Sequence, residues 1–436
     1  MTIQTAVVKQ KVSVQNLRIG MYICQLDRSW LETPFPFQGF YIRTKNEIEE
    51  VQAFCEYVYI DSEKGITLHA DSKISKPSPL LKKKKKVYRP RSARTLNFRP
   101  GHYGEKLKPI HKEFSNAHQI MMDLTRAVEQ TSFNLKSGNK YDFSETKALA
   151  GQMVDSIIRN PNTMVWLTQL KKKGGYTYNH SLKSAVLASV FGRHLGLQEE
   201  ELKMLASGVL LADVGKTKIS SKLLNKTDDL TDEELKLMRS HVELGVELLA
   251  KDNTIDHRIL TITETHHERY DGSGYPYGLV GQEIPTVGQI AGIVDTFDAM
   301  TSIKPYGKQY TPSQAMEWFY KQRDHLFSSK LVDEFIQAIG LYPSGSLVYL
   351  SDNSIGLVLS HNKAKRLKPE ILLLRDSNNK VLEKPRFVDL SKKSLFSKVE
   401  RPSVAGNVDP TSFQINTETL LSSFEGFSKL RKIGFA

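Results

Sequence analysis

The stretch HHERYDGSGYP, residues 266–276, joins two adjacent imidazoles, acidic side chains and a glycine-containing turn. Two neighbouring histidines at a helix end can supply neutral nitrogen ligands to a divalent transition metal. The turn after them can leave backbone N–H groups free to meet an anion. The stretch therefore predicts a metal and phosphate site, while a polar loop that only caps a helix is the structural alternative.

Further metal-ligand residue types recur on both sides of this stretch, roughly 25 to 35 residues apart, which is about one helical hairpin per step. Segments with helical apolar periodicity carry them. The ligand candidates are His180, Asp213, His241 and Asp295, and the helical segments are 179–195, 199–211, 231–249, 255–269 and 286–300. Helices that each project one polar residue inward would form a buried metal centre.

Local signals mark where some of these helices begin. Thr231-Asp232-Glu233-Glu234 has the pattern of a capping box, in which a hydroxyl and a carboxylate satisfy free N–H groups. Thr311 followed by Pro312 predicts another helix start, since proline suits the first helical position. A helix over about 112–130 is expected to lead into the bundle.

The order of these motifs resembles an HD-GYP domain. The phrases that carry the resemblance are His180-Ser181, Ala212-Asp213-Val214-Gly215-Lys216, His241, HHERYDGSGYP and Asp295. The similarity extends over roughly residues 144–341. Members of that family are metal-dependent phosphodiesterases of cyclic di-GMP. The resemblance therefore implies a mainly α protein built on an HD-type helical bundle, with hydrolysis of the cyclic dinucleotide to linear pGpG or to GMP.

The same resemblance implies a ligand set for at most two divalent metal ions, with iron or manganese favoured. The implied metal ligands are His180, Asp213, His241, His266, His267 and Asp295. One departure is prominent, because the paired His-Asp of the family is here Ala212-Asp213, and a methyl group cannot coordinate. Tyr176 stands where some members carry a glutamate associated with a third metal. Catalysis is therefore expected to be weakened or lost.

The resemblance implies that Asp213 and Lys216 are catalytic. It also implies that Lys216 contacts the substrate, where it would meet a phosphate oxygen as a point charge. Gly274, Tyr275 and Pro276 would shape the wall of the nucleotide pocket, although a purely structural turn is an equal alternative. The family usually continues with Asp-Arg-Pro-Tyr, where this chain has Ile303-Lys304-Pro305-Tyr306. Lys304 and Lys308 are the candidate substrate contacts here, but Lys304 cannot fork onto a phosphate as arginine does.

Three functional hypotheses follow. The first is a cyclic di-GMP phosphodiesterase. The second is a catalytically degenerate domain that signals by binding cyclic di-GMP or a protein, for example a diguanylate cyclase domain. The third is binding of nucleic acid or membrane through the lysine run 82–86, but no aromatic interleaving or recognition helix accompanies it, so a solvated linker is favoured over specific nucleic-acid binding.

Composition divides the chain into five expected parts. Residues 1–69 predict a small α/β domain similar to a domain of unknown function found ahead of HD-GYP domains, with a helix near 46–55 and a strand at 57–60. Residues 70–110 form a basic linker, which holds 13 Lys and Arg against 2 Asp and Glu and so carries +11 of the total +13.

The helical domain is expected to cover residues 111–341. A small β appendage covers 342–392, with strands at 347–350, 355–359 and 371–374 and turns at 351–354 and 378–379, and residues 393–436 form a loose tail.

The N-terminal domain is expected either to regulate or dimerise the protein or to be an inert folding unit. The chain has only two cysteines, Cys24 and Cys55, which indicates a reducing compartment. No apolar run reaches the roughly 18 residues that a membrane span needs, and the first residues lack a signal-peptide core. These features predict a cytoplasmic protein.

Overall fold

The computed structural model describes most of the 436 residues. The described parts are 9–28, 33, 35, 39–42, 45–61, 96, 98–99, 102–104, 107–139, 141–170, 176–302, 309–362, 367–392 and 401–408. The lysine run at 82–86 and the tail beyond residue 408 lie outside them, so the expectations for both stay predictions.

The N-terminal unit is a small antiparallel sheet with one helix. Its elements are β1 (Lys9–Ser13), β2 (Tyr22–Leu26), β3 (Phe40–Tyr41), α1 (Lys45–Phe54) and β4 (Tyr57–Asp61), and the strand order is β1-β4-β2-β3. Val58 and Ile60 of β4 are buried at the two-residue period of a strand, whereas in β2 the buried Ile23 and Leu26 are three positions apart because the pairing with β4 shifts register between Ile23 and Gln25. The predicted α/β character, the helix near 46–55 and the strand at 57–60 are confirmed.

The middle of the chain is helical, as predicted. The helices are α2 (Ile110–Ser137), α3 (Ser144–Arg159), α4 (Pro161–Leu170), α5 (Tyr176–Leu195), α6 (Glu199–Leu211), α7 (Ser221–Leu224), α8 (Asp232–Arg239), α9 (His241–Leu249), α10 (His257–Thr265), α11 (Thr286–Thr301), α12 (Pro312–Lys321) and α13 (Ser329–Ile339). Helices α5, α6 and α11 are buried on nearly all sides over most of their length, which is expected of helices at the centre of a bundle.

Helix boundaries follow the predicted caps. Capping boxes form at Thr231 with Glu234 and at Thr311 with Gln314. The expected single helix over 231–249 is instead two helices, because the chain turns at Ser240, whose hydroxyl donates to the carbonyl of Leu237. This break makes His241 the first residue of α9.

Aromatic side chains pack where α5, α11, α12 and α13 meet. The ring of Phe335 lies 5.3 Å from those of Phe191 and Phe297 and 5.9 Å from that of Phe319, and all four are fully buried. Such pairs add to the free energy gained by burying their area. The cluster holds α5 against α11, the two helices that carry His180 and Asp295.

A second antiparallel sheet follows the helices, as predicted for this part of the chain. Its strands are β5 (Leu347–Leu350), β6 (Ile355–Ser360), β7 (Glu370–Arg375), β8 (Val381–Asp389) and β9 (Val404–Asn407), in the order β8-β7-β6-β5-β9. Asn353 and Asn379 adopt left-handed backbone angles in the two predicted turns.

Strand β9 corrects the expectation of a loose segment after residue 392. It pairs with β5, and Val404 joins the buried core of the sheet with Val348 and Val358. A four-residue strand whose partner lies more than fifty positions earlier leaves no local pattern to detect.

The end of the expected linker is bonded to the helical bundle rather than free. Phe98 forms a β-bridge with Leu197, the hydroxyl of Tyr103 donates to the carbonyl of Leu197 at 2.8 Å, and the N–H of Lys108 donates to the carbonyl of Arg159 at 3.0 Å.

Among the described residues, no helix combines the length and apolarity that a membrane span requires.

A buried ion cluster joins α2 to α3, and it carries a pH prediction. The carboxylate of Glu113 accepts from Arg159 at 2.7 Å, Lys108 at 2.8 Å and Ser156 at 2.9 Å. Burial raises the pKa of Glu113, but these donors outweigh it and lower the pKa to about 2. Since the pKa is lower in the folded state, the stabilisation is present above about pH 4.5, the model-peptide range, and is lost as pH falls toward 2.

We expect Glu113→Gln to lower the free energy of unfolding at pH 7 by about 2 kcal/mol and to flatten the acid dependence between about pH 4.5 and 2. Urea unfolding followed by circular dichroism at several pH values measures both effects. Asp123→Asn is the control, because this carboxylate on the same helix forms an exposed pair with Arg126. Equal losses in the two variants would contradict the assigned role.

Candidate metal centre

Five separate segments bring the predicted ligands to one place. His180 comes from α5, Asp213 follows α6, His241 begins α9, His266 and His267 follow α10, and Asp295 lies in α11. His180, Asp213, His241 and His266 are buried, and the other two are partly buried. The six ligand candidates therefore form one cluster, although no motif in the sequence brings them together locally.

Helices α10 and α11 approach closely because small residues face each other. A Cβ atom at Gly288 would lie 2.1 Å from the hydroxyl oxygen of Thr265, so only glycine fits. This approach places Asp295, two turns further along α11, beside the histidine pair that ends α10.

The first set of donors consists of Asp213 and three histidines. Oδ1 of Asp213 lies 3.3 Å from Nε2 of His241 and 3.7 Å from Nε2 of His266. Nε2 of His267 lies 3.2 Å from Nε2 of His241. One ligand atom from each of the four residues falls within 4.8 Å of all the others.

Two of these histidine rings are held in tautomers that can bind a cation. Nδ1 of His241 donates to the carbonyl of Met238 at 2.7 Å, and Nδ1 of His266 donates to the carbonyl of Thr263 at 2.9 Å. In the neutral rings, Nε2 then carries a lone pair, which in both points to the region of Asp213. Neither Nε2 of His266 nor Oδ1 of Asp213 has a hydrogen-bond partner within the described residues. Electron-rich buried atoms that face one another fit a bound divalent metal.

A second set shares Asp213 with the first. Nε2 of His180 lies 2.9 Å from Oδ1 of Asp295 and 3.8 Å from Oδ2 of Asp213, and ligand atoms of the three residues fall within 4.8 Å of one another. Asp213 thus offers Oδ1 to one set and Oδ2 to the other. Two sets joined by one carboxylate have the arrangement of a two-ion centre.

The charges of the cluster suit metal binding. Burial raises the pKa of Asp213, but Lys216, whose Nζ lies 2.6 Å from Oδ2, and the neighbouring His241 hold it well below its usual range. Burial lowers the pKa of His267, and the nearby His266 lowers it further. The carboxylate is therefore ionised and this imidazole is neutral at pH 7, the forms in which both residues bind metals.

His180 has a partner on each ring nitrogen, and one of these partners, Asp298, was missed as a site residue. Nδ1 of His180 lies 2.7 Å from Oδ2 of Asp298, and Lys183 contacts the other oxygen of that carboxylate at 2.8 Å. Burial opposes the charge on His180, but Asp295 and Asp298 outweigh it and raise its pKa to about 10. Asp298 orients the ring, as carboxylates behind metal-binding histidines do, and a cation would replace the proton on Nε2. The spacing of Asp295 and Asp298 on one helix was the signal available in the sequence.

The loop after the histidine pair differs from the expectation of free N–H groups for an anion. The buried carboxylate of Glu268 accepts from the N–H groups of Tyr277 at 2.7 Å, Gly278 at 3.2 Å and Leu279 at 2.9 Å. The N–H of Tyr275 donates to the carbonyl of His267. These donors are consumed inside the loop, because a buried carboxylate needs them more than a solvated anion does.

The residues predicted to form the wall of the nucleotide pocket lie close to the candidate metal centre. A Cβ atom at Gly274 would lie 2.3 Å from the backbone nitrogen of Arg269, so glycine is required here by packing within the loop. The ring of Tyr275, which precedes Pro276 through a cis peptide bond, stacks on His267 with centroids 4.7 Å apart. Arg239, which the sequence did not single out, places its guanidinium 4.8 Å from the Tyr275 ring and is itself exposed.

Lys216 is paired with Asp213, and its contact with a phosphate stays a prediction. Lys304 and Lys308 lie outside the described residues. So does the side chain of Tyr176. Ala212 is buried beside Asp213, at a small cavity in the cluster.

The chain matches three family profiles in succession. Residues 9–146 match a domain of unknown function, DUF3391, residues 162–331 match the HD domain, and residues 347–397 match the KOW domain associated with HD domains. The chain therefore contains an HD domain. The HD profile covers every residue of both donor sets, and the DUF3391 match extends beyond the expected boundary at residue 69.

Three phosphodiesterases are similar to this chain. Cyclic di-GMP phosphodiesterase PA4108 of Pseudomonas aeruginosa is 28% identical over 88% of this chain and 89% of the relative. The cyclic di-GMP phosphodiesterase response regulator RpfG of Xanthomonas campestris is 39% identical over 35% of this chain and 40% of its own length. The 3'3'-cGAMP-specific phosphodiesterase 2 of Vibrio cholerae is 35% identical over 36% of this chain and 30% of its own length.

Proposed function

We propose that this protein is a metal-dependent phosphodiesterase that hydrolyses cyclic di-GMP to linear pGpG or to GMP. The observation that carries the proposal is the pair of donor sets joined by Asp213, next to a stacked aromatic ring. The similarity to PA4108 over most of both chains supports the same substrate. Iron or manganese suits a set of imidazoles and carboxylates, and we propose that each chain binds two such ions. We also propose that the protein acts in the cytoplasm.

Hydrolysis of a phosphodiester needs an activated water and positive charge at the phosphate oxygens. Two divalent ions held by these sets would lower the pKa of water and offset the charge of the phosphate. His180, Asp213 and Asp295 would hold one ion, and Asp213, His241, His266 and His267 the other. Lys216 keeps Asp213 ionised and adds a positive charge beside a phosphate oxygen. Lys304 and Lys308 are proposed as further phosphate contacts.

The residues around the centre suit a dinucleotide. The exposed guanidinium of Arg239, which lies over the Tyr275 ring, offers a flat surface on which a guanine base can stack, with Gly274 and Pro276 holding the loop in place. The same guanidinium supplies a cation for the base or for a phosphate. We therefore assign Gly274, Tyr275 and Pro276 to substrate binding and add Arg239 to them.

The test is turnover by the full chain loaded with Mn²⁺ or Fe²⁺ under anaerobic conditions. We expect conversion of cyclic di-GMP to pGpG or GMP by chromatography, with slower conversion of 3'3'-cGAMP measured beside it. Metal content of the same sample is determined by mass spectrometry. A sample with two ions per chain and no conversion of cyclic di-GMP would contradict the proposed activity.

Ala212 favours a second candidate, a domain that binds cyclic di-GMP or a partner such as a diguanylate cyclase without hydrolysis. A ligand that the family resemblance places at this position is absent, and this can leave binding intact while turnover is lost. Calorimetry would then show binding without product, and Ala212→His would restore turnover. Product formed by the native chain rules out this candidate.

Arg239 gives a prediction about substrate binding. We expect Arg239→Ala to raise KM for cyclic di-GMP about tenfold with kcat changed less than about twofold, because the guanidinium lies outside both donor sets. Steady-state kinetics with Mn²⁺ measures both constants. Lys236→Ala on the same helix is the control, since Lys236 is exposed and is not part of the stack. A fall in kcat at unchanged KM would refute the assignment.

A further inference from the structure

A small cavity beside Ala212 is lined by the residues of the second donor set. Its interior offers about 10 Å³ to the centre of a water molecule, which is room for about one water. His180, Asp213 and Asp295 all line it, together with Ser184 and Ala212. Val209 and Ala291 add apolar surface to the lining, but the imidazole, carboxylate and hydroxyl groups at this cavity offer enough partners for a single ordered water.

Ser184 is the feature of this cavity that the proposed mechanism does not use. It lies one helical turn after His180 on the same face of α5, and its side chain is 3% exposed. Within the described residues its hydroxyl has no hydrogen-bond partner. A buried hydroxyl left in this condition costs about 1 to 3 kcal/mol, so the hydroxyl is expected to have a polar partner in the working protein.

Other buried serines of the bundle show that the hydroxyl of Ser184 could have bonded to its own helix. A serine in a helix commonly donates to the carbonyl four residues earlier. Ser189 does so, with its hydroxyl 2.7 Å from the carbonyl oxygen of Ala185, and Ser207 of α6 does so with Lys203 at 2.8 Å. Ser184 does not form this bond, although it is buried on the same helix as Ser189. Its hydroxyl is left to the cavity and to the donor set that lines it.

We propose that Ser184 is a positioning residue of the metal centre, and that its hydroxyl holds one water in the cavity as an additional ligand of the ion bound by His180, Asp213 and Asp295. The methyl group of Ala212 leaves space for that water. The inference rests on the proposed function, since it requires that this set bind a metal. It explains how a chain with alanine at position 212 keeps a complete ligand set.

The experiment compares Ser184→Ala with Ser189→Ala, two buried serines on one helix. Thermal unfolding of the full chain is measured in EDTA and with increasing Mn²⁺, and Mn²⁺ binding is titrated by electron paramagnetic resonance. We expect Ser184→Ala to be as stable as the native chain in EDTA, because it removes a hydroxyl without a partner. With Mn²⁺ it should show five- to tenfold weaker binding at one of two sites and a smaller rise in Tm. Ser189→Ala should bind Mn²⁺ like the native chain.

Two results would overturn the inference. One is Mn²⁺ binding by Ser184→Ala that equals that of the native chain. The other is a loss of stability in EDTA as large as the loss with Mn²⁺, which would mean that Ser184 has only a packing role. A native chain that binds no Mn²⁺ would instead refute the proposed function, so the two failures are distinguishable.

Discussion

Asp213→Asn is expected to reduce turnover of cyclic di-GMP by about 10³-fold or more, while the fold is retained. The amide has the shape of the carboxylate but not its charge, and Asp213 is the one residue that both donor sets share. Removing a single charge-stabilising group commonly costs about 10² to 10³ in kcat, and this variant weakens two ions together. Turnover and metal content of the same preparations give the result.

Asp298→Asn provides a graded comparison for this prediction. Asp298 contacts Nδ1 of His180 and does not belong to either donor set, so we expect a loss of about 10 to 100-fold. The melting temperatures of both variants are measured to exclude unfolding. Native turnover in Asp213→Asn, or a larger loss in Asp298→Asn than in Asp213→Asn, would contradict the assignment of the shared ligand.

Gly215→Ala is expected to destabilise the protein by about 3 kcal/mol and to abolish activity as well. An added Cβ atom would lie 1.9 Å from the carbonyl oxygen of His241 and 2.5 Å from the backbone nitrogen of Gly245. Both neighbours are backbone atoms of α9, so the helix must move. That movement separates His241 from Asp213, whose facing atoms are 3.3 Å apart. Chemical unfolding measures the loss of stability, and Mn²⁺ binding and turnover of cyclic di-GMP measure the effect on the site.

Gly151→Ala is the matched control, because this glycine lies inside α3 and an added Cβ would meet only the side chain of Lys203 at 3.7 Å. Alanine is the better helix former, so we expect a gain of about 0.5 to 1 kcal/mol and native metal binding. Similar losses in the two variants would show that the close approach at Gly215 has no special importance.

Much of the helical architecture could be predicted from sequence because its signals are local. The capping boxes at Thr231 and Thr311 and the apolar periodicity of α5, α6 and α11 depend on residues a few positions apart. The errors came where a contact across the chain decided the outcome. Strand β9 exists because β5 is available to pair with it, and the end of the expected linker is ordered by its bonds to Leu197 and Arg159.

The candidate site shows the same division. The ligand types and their order were readable, since histidine and aspartate recur at helical-hairpin spacing. The roles of Asp298, Arg239 and Ser184 were not, because each depends on a neighbour from another segment or on a cavity between segments. The expectation of free N–H groups after the histidine pair was wrong for a different reason, because the carboxylate of Glu268 folds back onto its own loop and accepts from them.

The sequence by itself therefore determined that this protein is mainly helical, with a defined set of imidazoles and carboxylates and with alanine at position 212. Only the tertiary structure decided that Asp213 offers one oxygen to each donor set, and that Ser184, whose hydroxyl has no hydrogen-bond partner in the described part of the chain, lines the cavity beside Ala212. The physical reason is that residue type and periodicity are properties of the chain, whereas a ligand set requires atoms from five segments to meet within a few ångströms.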